Sequence, residues 1–294
     1  MITGSIVALV TPFHSDGNVN FEKLGELIEF HIEKETDGLL ILGTTGESPT
    51  ISLEEQREIV VYTVKQAKGR IHIMVGSGCN DTAKSVYLSQ VYEELGADSL
   101  LAITPYYNKT NDSGMIKHFT AIADAVSIPV ILYNVPGRTG CSISVKVVET
   151  LAKHPHIAGI KEASGDLAYV MSISRYLSDN FVMYSGNDDM IIPLLSVGAV
   201  GVISVWANIM PQVVHDLVKT YLDGNTKASL TLQLRYLDLI HGLFSETNPI
   251  PIKFAMNELG FEVGPTRLPL DELNSAHQQT LKTLLNTNDV GKLV

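Results

Sequence analysis

The sequence predicts a (β/α)8 barrel, also called a TIM barrel, with a C-terminal helical extension. Three observations lead to this prediction. Short β-rich apolar runs alternate eight times with amphipathic segments before residue 225. Most of these runs are unbroken by polar residues, as expected for parallel strands that are buried on both faces. The length of 294 residues suits one such barrel with an addition.

The eight predicted strands are bounded by turn-forming residues such as Gly, Pro, Asn and Asp. They span residues 5–10, 38–42, 72–76, 99–104, 129–134, 157–161, 181–185 and 201–205. The segments that follow them repeat apolar residues with helical spacing. These predicted helices span residues 21–34, 53–67, 82–95, 114–125, 144–152, 167–177, 190–197 and 211–222.

The strand pattern stops after Asp223-Gly224-Asn225. The remaining apolar segments, 227–244, 251–259 and 271–285, read as helices joined by linkers. We therefore predict a catalytic barrel over residues 1–224 and a three-helix extension over residues 225–294. An open, doubly wound sheet is the competing fold, but the chain contains neither GxGxxG nor GxxxxGK[ST], the glycine-rich turns expected of it.

Composition restricts the function. The net charge of −11 argues against nucleic-acid binding, which depends on Lys and Arg. No apolar run approaches the roughly 20 residues that span a bilayer, and the N-terminus lacks a signal-peptide pattern. Cys79 and Cys141 have no metal-site or disulfide spacing, so we expect reduced thiols in a cytoplasmic protein. Asp188 and Asp189 open a predicted helix, where capping explains them better than a metal.

Lys161 ends the sixth predicted strand. Burying an unpaired ammonium costs several kcal/mol, so a lysine here is paired, neutral or used in chemistry. A desolvated neutral lysine is a nucleophile suited to Schiff-base formation. The alternative is a lysine that reaches solvent or pairs with Glu162.

Other polar residues follow the strands at the same face of the barrel, where such enzymes place their active sites. Thr44 and Thr45 lie between two glycines and could cradle a carboxylate, although an ordinary tight turn fits equally well. Tyr133 ends the strand next to that of Lys161, so the two side chains can meet. Arg138, in a loop over the same mouth, suits a bidentate grip on a carboxylate; a surface arginine is the alternative.

Several motifs together resemble the dihydrodipicolinate synthase / N-acetylneuraminate lyase family. The resemblance extends over the whole chain and is nearest to the synthase branch. It rests on Gly43-Thr44-Thr45-Gly46-Glu47, Tyr133-Asn134-Val135-Pro136 with Arg138, Gly159-Ile160-Lys161-Glu162 and Asn248-Pro249-Ile250-Pro251-Ile252-Lys253. It implies condensation of pyruvate with L-aspartate 4-semialdehyde to 4-hydroxy-tetrahydrodipicolinate, the first committed step of lysine and diaminopimelate biosynthesis.

The resemblance also implies roles for the catalytic residues. Lys161 would form an imine with pyruvate, and no further cofactor or metal would be needed. Tyr133, Thr44 and Tyr107 would form a proton relay, with Tyr107 supplied by a neighbouring subunit. Members of the family are commonly homotetramers built as dimers of dimers, which would place Tyr107 at the tight-dimer interface.

Four further residues match substrate contacts in the family. Thr45 would bind the carboxylate of pyruvate, and Arg138 would hold the carboxylate of the semialdehyde. Gly186 and Ile203 would contact the bound pyruvate adduct through their backbones.

Two other functions stay open. An N-acetylneuraminate lyase or a keto-deoxy-sugar-acid aldolase would share Lys161 and Tyr133, whereas Arg138 and Tyr107 favour the synthase. A non-catalytic small-molecule-binding barrel would keep the fold alone, yet the chain has both the lysine and the hydroxyl residues of the motif.

Feedback by lysine is a further expectation from the resemblance. Inhibited enteric-type members carry His, His and Glu where this chain has Leu53, Gln56 and Lys84. A cation in place of a carboxylate repels the ammonium of the inhibitor, so we expect little or no inhibition by lysine.

Overall fold

Eight parallel strands close into one barrel in the computed structural model, which describes residues 1–292. Each strand pairs with its sequence neighbours, and the first pairs with the last. The predicted barrel is therefore confirmed. The strands are β1 Gly4–Ala8, β2 Gly38–Ile41, β3 His72–Gly76, β4 Ser99–Ile103, β5 Val130–Asn134, β6 Ile157–Glu162, β7 Val182–Ser185 and β8 Gly201–Ser204.

The strands are buried on both faces, which explains their unbroken apolar composition. One set of side chains, which includes Ile6, Met74 and Ile203, fills the barrel interior. The other set packs against the surrounding helices in a larger core. Alternation of side chains along each strand thus divides the apolar residues between two cores.

Helices follow the strands around the barrel. They are α1 Phe21–Glu33, α2 Leu53–Ala67, α3 Thr82–Glu94, α4 Asp112–Asp124, α5 Pro136–Thr139, α6 Val145–Leu151, α7 Leu167–Ser174, α8 Ile191–Leu195 and α9 Pro211–Leu222. All eight predicted barrel helices are present, and their bounds differ from the prediction by at most three residues, as for 167–177 against α7. None of the helices within residues 1–292 is both long and apolar enough to cross a membrane.

The extension departs from the prediction in its helices, which are α10 Thr226–Arg235, α11 Leu237–Gly242, α12 Ile250–Glu258 and α13 Ser275–Thr287. The prediction of a single helix over 227–244 is wrong, because the helix is interrupted at Tyr236. The ring of this residue is buried, and its centre lies 5.4 Å from that of the Trp206 ring. The last helix begins four residues later than residue 271, because the Asn274 side chain caps it. Residues 293 and 294 lie outside the described residues, and the domain boundary at 224/225 stays a prediction.

Candidate active site

Lys161 lies at the C-terminal end of β6, inside the barrel mouth. It is paired in register with Tyr133 on β5 and Tyr184 on β7, so the three side chains share the inner face. The residue is only 5% exposed. Its Nζ lies 4.4 Å from the centre of the Tyr133 ring.

Burial lowers the pKa of Lys161 from 10.5 to about 7. The negative charge of Asp188 opposes this shift, and the positive charge of Arg138 reinforces it. The neighbouring Glu162 points to the opposite face, where it accepts hydrogen bonds from Asn134 Nδ2 at 2.8 Å and from the Ser164 amide at 2.6 Å. Glu162 therefore does not neutralise Lys161, and the amine is poised to lose its proton near neutral pH.

Gly186, just after β7, makes room for the lysine. A Cβ atom at this position would lie 3.1 Å from Lys161 Cε and 2.7 Å from Ala163 Cβ. The predicted backbone contact of Gly186 with a pyruvate adduct stays a prediction. Any larger residue here would displace the reactive amine.

The turn after β2 brings two threonines to the same mouth. The Gly46 amide donates to the Gly43 carbonyl at 3.1 Å, and the Glu47 amide donates to the Thr44 carbonyl at 3.1 Å. Thr45 is buried, and its Oγ1 accepts a hydrogen bond from Asn248 Nδ2 at 2.9 Å. The turn thus holds both hydroxyls at one edge of the cavity.

Tyr133 connects this turn to Lys161. Burial raises its pKa, whereas the charge of Arg138 and a side-chain hydrogen bond with Thr44 lower it. Two of the three residues predicted for the proton relay are therefore in contact within one chain.

Arg138 lies on α5, a short helix that the sequence interpretation did not include. Pro136 begins this helix, and Gly140, with a φ of 67°, follows its last residue. A Pro at the start and a Gly at the end are the sequence signal by which this helix could have been predicted. The Arg138 side chain is at the cavity mouth and its Nη2 donates to the Asn248 carbonyl at 3.0 Å.

These residues enclose a cavity of about 150 Å³. Six of the eight predicted site residues line it, namely Lys161, Tyr133, Thr44, Thr45, Arg138 and Gly186. A neighbouring cavity of about 250 Å³ shares Thr44, Tyr133 and Arg138 and extends to Tyr106. The small volume and its mixture of hydroxyls, one amine and one guanidinium suit a small carboxylic acid.

The structure does not bring the other two predicted residues into this lining. Ile203 is buried among the interior side chains of the barrel, together with Tyr133 and Tyr184. Tyr107 is 91% exposed in the segment between β4 and α4, with a φ of 68°. Of the three residues predicted for the relay, Tyr133 and Thr44 therefore line the cavity of their own chain.

Behind the threonine turn lies a buried ion pair to which sequence reasoning assigned no role. Lys253 Nζ lies 2.8 Å from Glu47 Oε1, with side-chain exposures of 2% and 1%. The ammonium also donates to the Pro265 carbonyl at 2.7 Å, and the Arg267 amide donates to Glu47 Oε2 at 2.8 Å. The sequence signal for this buried pair was one charged residue, Lys253, within the apolar run Pro251-Ile252-Lys253-Phe254-Ala255.

Asp188 does not cap its own helix, so that interpretation is corrected. Its Oδ2 accepts hydrogen bonds from the amides of Val205 at 3.0 Å and Trp206 at 2.9 Å. The carboxylate therefore caps the short 3-10 helix Trp206–Asn208 that follows β8. In the part of the chain that the structure describes, no group of three or more His, Cys, Asp or Glu side chains could hold a metal ion.

Known proteins are similar to this chain over nearly its whole length. Residues 1–288 match the model of the dihydrodipicolinate synthetase family. A relative from Thermoanaerobacter sp. (strain X514), named 4-hydroxy-tetrahydrodipicolinate synthase, is 49% identical over 284 residues, which cover 96% of this chain and 95% of the relative.

Solved structures are similar over almost the entire chain. The dihydrodipicolinate synthase from Aquifex aeolicus has a TM-score of 0.96 and 40% identity, covering 99% of each chain. The chloride-inhibited enzyme from Acinetobacter baumannii complexed with pyruvate has a TM-score of 0.96 and 39% identity, covering 99% of this chain and 100% of that one. The chain therefore belongs to the dihydrodipicolinate synthetase family.

Proposed function

We propose that this protein condenses pyruvate with L-aspartate 4-semialdehyde to form 4-hydroxy-tetrahydrodipicolinate, through a Schiff base on Lys161. The observation that carries the proposal is a buried amine with a pKa of about 7, located in a cavity of about 150 Å³ beside Tyr133. The name of the Thermoanaerobacter relative and the pyruvate complex of the Acinetobacter structure support the same reaction. The product feeds the biosynthesis of lysine and diaminopimelate.

The first step is imine formation. The neutral amine of Lys161 attacks the carbonyl carbon of pyruvate, and water leaves. The lowered pKa of about 7 makes the unprotonated amine accessible near neutral pH. Tyr133 and Thr44 supply and remove the protons that this addition and dehydration require. Thr45 binds the pyruvate carboxylate.

The second step joins the two substrates. Loss of a methyl proton from the imine gives an enamine, which attacks the aldehyde carbon of the semialdehyde. The amino group of that substrate then closes the ring at the imine carbon and releases Lys161, so one water leaves in total. Arg138 holds the semialdehyde's carboxylate, while the backbones of Gly186 and Ile203 contact the pyruvate adduct.

We further infer that the functional unit contains several copies of the chain. Tyr107 projects into solvent from its own subunit and would complete the relay of a neighbour in a tight dimer, two of which form a homotetramer. The covalent imine takes the place of a cofactor. A cytoplasmic location agrees with amino-acid biosynthesis and with the free thiols of Cys79 and Cys141.

Borohydride trapping tests the proposal. Protein incubated with pyruvate and borohydride is digested, and the modified peptide is identified by mass spectrometry. We expect labelling of the Lys161 peptide and loss of labelling in Lys161→Arg, which keeps the charge. Lys253 is an internal control, because it is also buried with a pKa lowered to about 8, but is bound to Glu47. Labelling at Lys253, or none at all, would refute the assignment.

A coupled assay then separates the synthase from its alternatives. Turnover with pyruvate and aspartate 4-semialdehyde is expected, without cleavage of N-acetylneuraminate or a keto-deoxy-sugar acid. Trapped pyruvate without turnover of any of these substrates would favour a binding protein.

A further inference from the structure

Asn248 joins the two parts of the cavity that we assign to different substrates. It lies in the extension just before α12, is 5% exposed and lines the Lys161 cavity. Its side-chain Nδ2 donates to Thr45 Oγ1 at 2.9 Å, and its backbone carbonyl accepts from Arg138 Nη2 at 3.0 Å. Asn248 therefore contacts both Thr45, which we propose binds the pyruvate carboxylate, and Arg138, which we propose binds the semialdehyde carboxylate.

The bond to Thr45 restricts what the hydroxyl can do. A threonine hydroxyl has one proton to donate and two lone pairs that accept. The Asn248 amide occupies a lone pair, and no residue within 1–292 accepts the proton of Thr45 Oγ1 in a side-chain hydrogen bond. The proton is left for an acceptor in the cavity, and a carboxylate oxygen is the strongest acceptor that pyruvate offers.

We infer that Asn248 is a positioning residue for pyruvate: its amide occupies one lone pair of the Thr45 hydroxyl and so orients the hydroxyl proton toward the substrate carboxylate. This inference rests on the proposed function and adds to it a residue outside the barrel. The second contact predicts a contrast between the substrates. Because Arg138 binds the backbone carbonyl of Asn248, a change of side chain leaves the semialdehyde contact in place.

Two substitutions of the side chain test the inference. In Asn248→Asp the new carboxylate accepts the Thr45 proton and repels the substrate carboxylate, so the KM for pyruvate should rise at least about tenfold, which is about 1.4 kcal/mol. Asn248→Ala removes the amide without adding charge and should raise this KM by about three- to tenfold. The KM for the semialdehyde should change less than about twofold in both variants.

A double-mutant cycle distinguishes positioning from a general structural role. In a Thr45→Val background the hydroxyl is gone, so Asn248→Ala should produce little further change in the pyruvate concentration that gives half-maximal borohydride trapping. Circular dichroism checks that each variant is folded. If Asn248→Asp does not fold, Asn248→Ala and the double-mutant cycle with Thr45→Val still test the role of Asn248.

The outcomes separate the inference from the proposed function. Saturable trapping in the wild type, with unchanged half-saturation in folded Asn248 variants, would overturn the role of Asn248 alone. Equal increases in KM for both substrates, or additive effects with Thr45→Val, would also overturn it. Absence of trapping in the wild type would remove both the inference and the proposed function.

Discussion

Within residues 1–292 two lysines are buried, and their surroundings give them different chemistry. Lys253 is held at 2.8 Å by Glu47 and at 2.7 Å by the Pro265 carbonyl. Lys161 has no salt-bridge partner within residues 1–292 and lies against the Tyr133 ring. Burial lowers the pKa of both amines, to about 8 and about 7 respectively. The absence of a bonded carboxylate, more than burial itself, leaves Lys161 available as a nucleophile.

The lowered pKa of Lys161 predicts how adduct formation depends on pH. Only the neutral amine attacks, and a pKa of about 7 means that it is fully neutral well below pH 10. We expect the rate of pyruvate trapping to rise about tenfold per pH unit in acid and to level off above about pH 8. Rates measured from trapped protein at short times would check this. A rate still rising steeply at about pH 10 would mean that the amine has its ordinary pKa.

Arg138 predicts a loss that is confined to the second substrate. Its guanidinium lies on α5 at the mouth of the cavity that Lys161 also lines, and it donates to the Asn248 carbonyl. Arg138→Ala should lower kcat/KM for the semialdehyde, which corresponds to a loss of about 1.5–3 kcal/mol in transition-state stabilisation. Pyruvate trapping should change little. Arg138→Lys is the matched control, since it keeps a cation but loses the planar fork. An equal loss in pyruvate trapping would place Arg138 in the pyruvate pocket.

At the scale of elements, the C-terminal extension braces the threonine turn. Glu47, two residues after Thr45, has a left-handed conformation with a φ of 56°. Its carboxylate accepts hydrogen bonds from Lys253 Nζ and from the Arg267 amide. The geometry of a turn on β2 thus depends on residues more than 200 positions later, as shown by the sequence separation of 206 for Glu47 and Lys253. Through these contacts the extension supports the turn that carries Thr44 and Thr45 at the candidate active site.

Removal of one partner of the brace predicts a large loss of stability. Lys253→Met leaves the Glu47 carboxylate buried and unpaired, which should lower the free energy of unfolding by about 3–5 kcal/mol. Adding Glu47→Gln should recover part of this loss, because the charge is removed. Lys219→Met is the control, since its partner Asp223 and Lys219 itself are 63% and 61% exposed. The control should cost less than about 1 kcal/mol.

Denaturant unfolding followed by circular dichroism measures these differences. A loss in Lys253→Met no larger than in the control would mean that water reaches the Glu47 carboxylate.

The elements of the barrel could be predicted because their signals are local. Strands that are buried on both faces are continuous apolar runs, and helix α2 begins at a capping box of Ser52 and Glu55. The break at Tyr236 could not be predicted in the same way, because it depends on packing against Trp206. A helical pattern continues through this position, so the sequence carries no local signal for the end of the helix.

The candidate site was predictable to the extent that it lies at strand ends. Residues such as Lys161, Tyr133 and Thr45 follow from the strand pattern and the motifs, and the structure groups them in one cavity. The part played by Asn248 did not follow, because its contact with Thr45 spans 203 residues and no periodicity reports it. Tyr107 depends on a second chain, so its role stays a prediction.

At the scale of the whole molecule, Tyr107 predicts that activity requires an assembly. Tyr107→Phe removes the hydroxyl that one subunit would lend to its neighbour, and Lys161→Ala removes the amine of the other. Each variant alone should be nearly inactive, whereas mixed dimers should regain part of the activity, because one of the two sites is then complete. Activity of mixed samples is the measurement. No rescue after confirmed subunit exchange would argue that Tyr107 does not cross an interface.

The response to L-lysine is a second expectation at this scale. The Gln56 amide donates to the carbonyls of Ser48 at 3.3 Å and Ile51 at 2.9 Å and accepts from the Tyr92 hydroxyl at 2.6 Å, so it has little capacity for another ligand. Lys84 adds a positive charge in the first turn of α3. We expect L-lysine at millimolar concentrations to inhibit little, because its ammonium is repelled.

A dose–response curve with L-lysine checks this expectation, and Lys84→Glu is the informative variant. Gain of inhibition in Lys84→Glu would support the charge argument, whereas saturable inhibition of the wild type would contradict it.

The long separation between Thr45 and Asn248 has a consequence for synthesis on the ribosome. A nascent chain that has completed β8 at Ser204 still lacks Asn248, Lys253 and Arg267. At about 5–20 residues per second, roughly 2–9 s pass before Asn248 is added. During this interval Lys161 is already present, but the threonine turn lacks its contacts with Asn248 and Lys253. The strands of the barrel are thus complete before the residues that brace the threonine turn exist, so this turn gains its last contacts only when the extension docks.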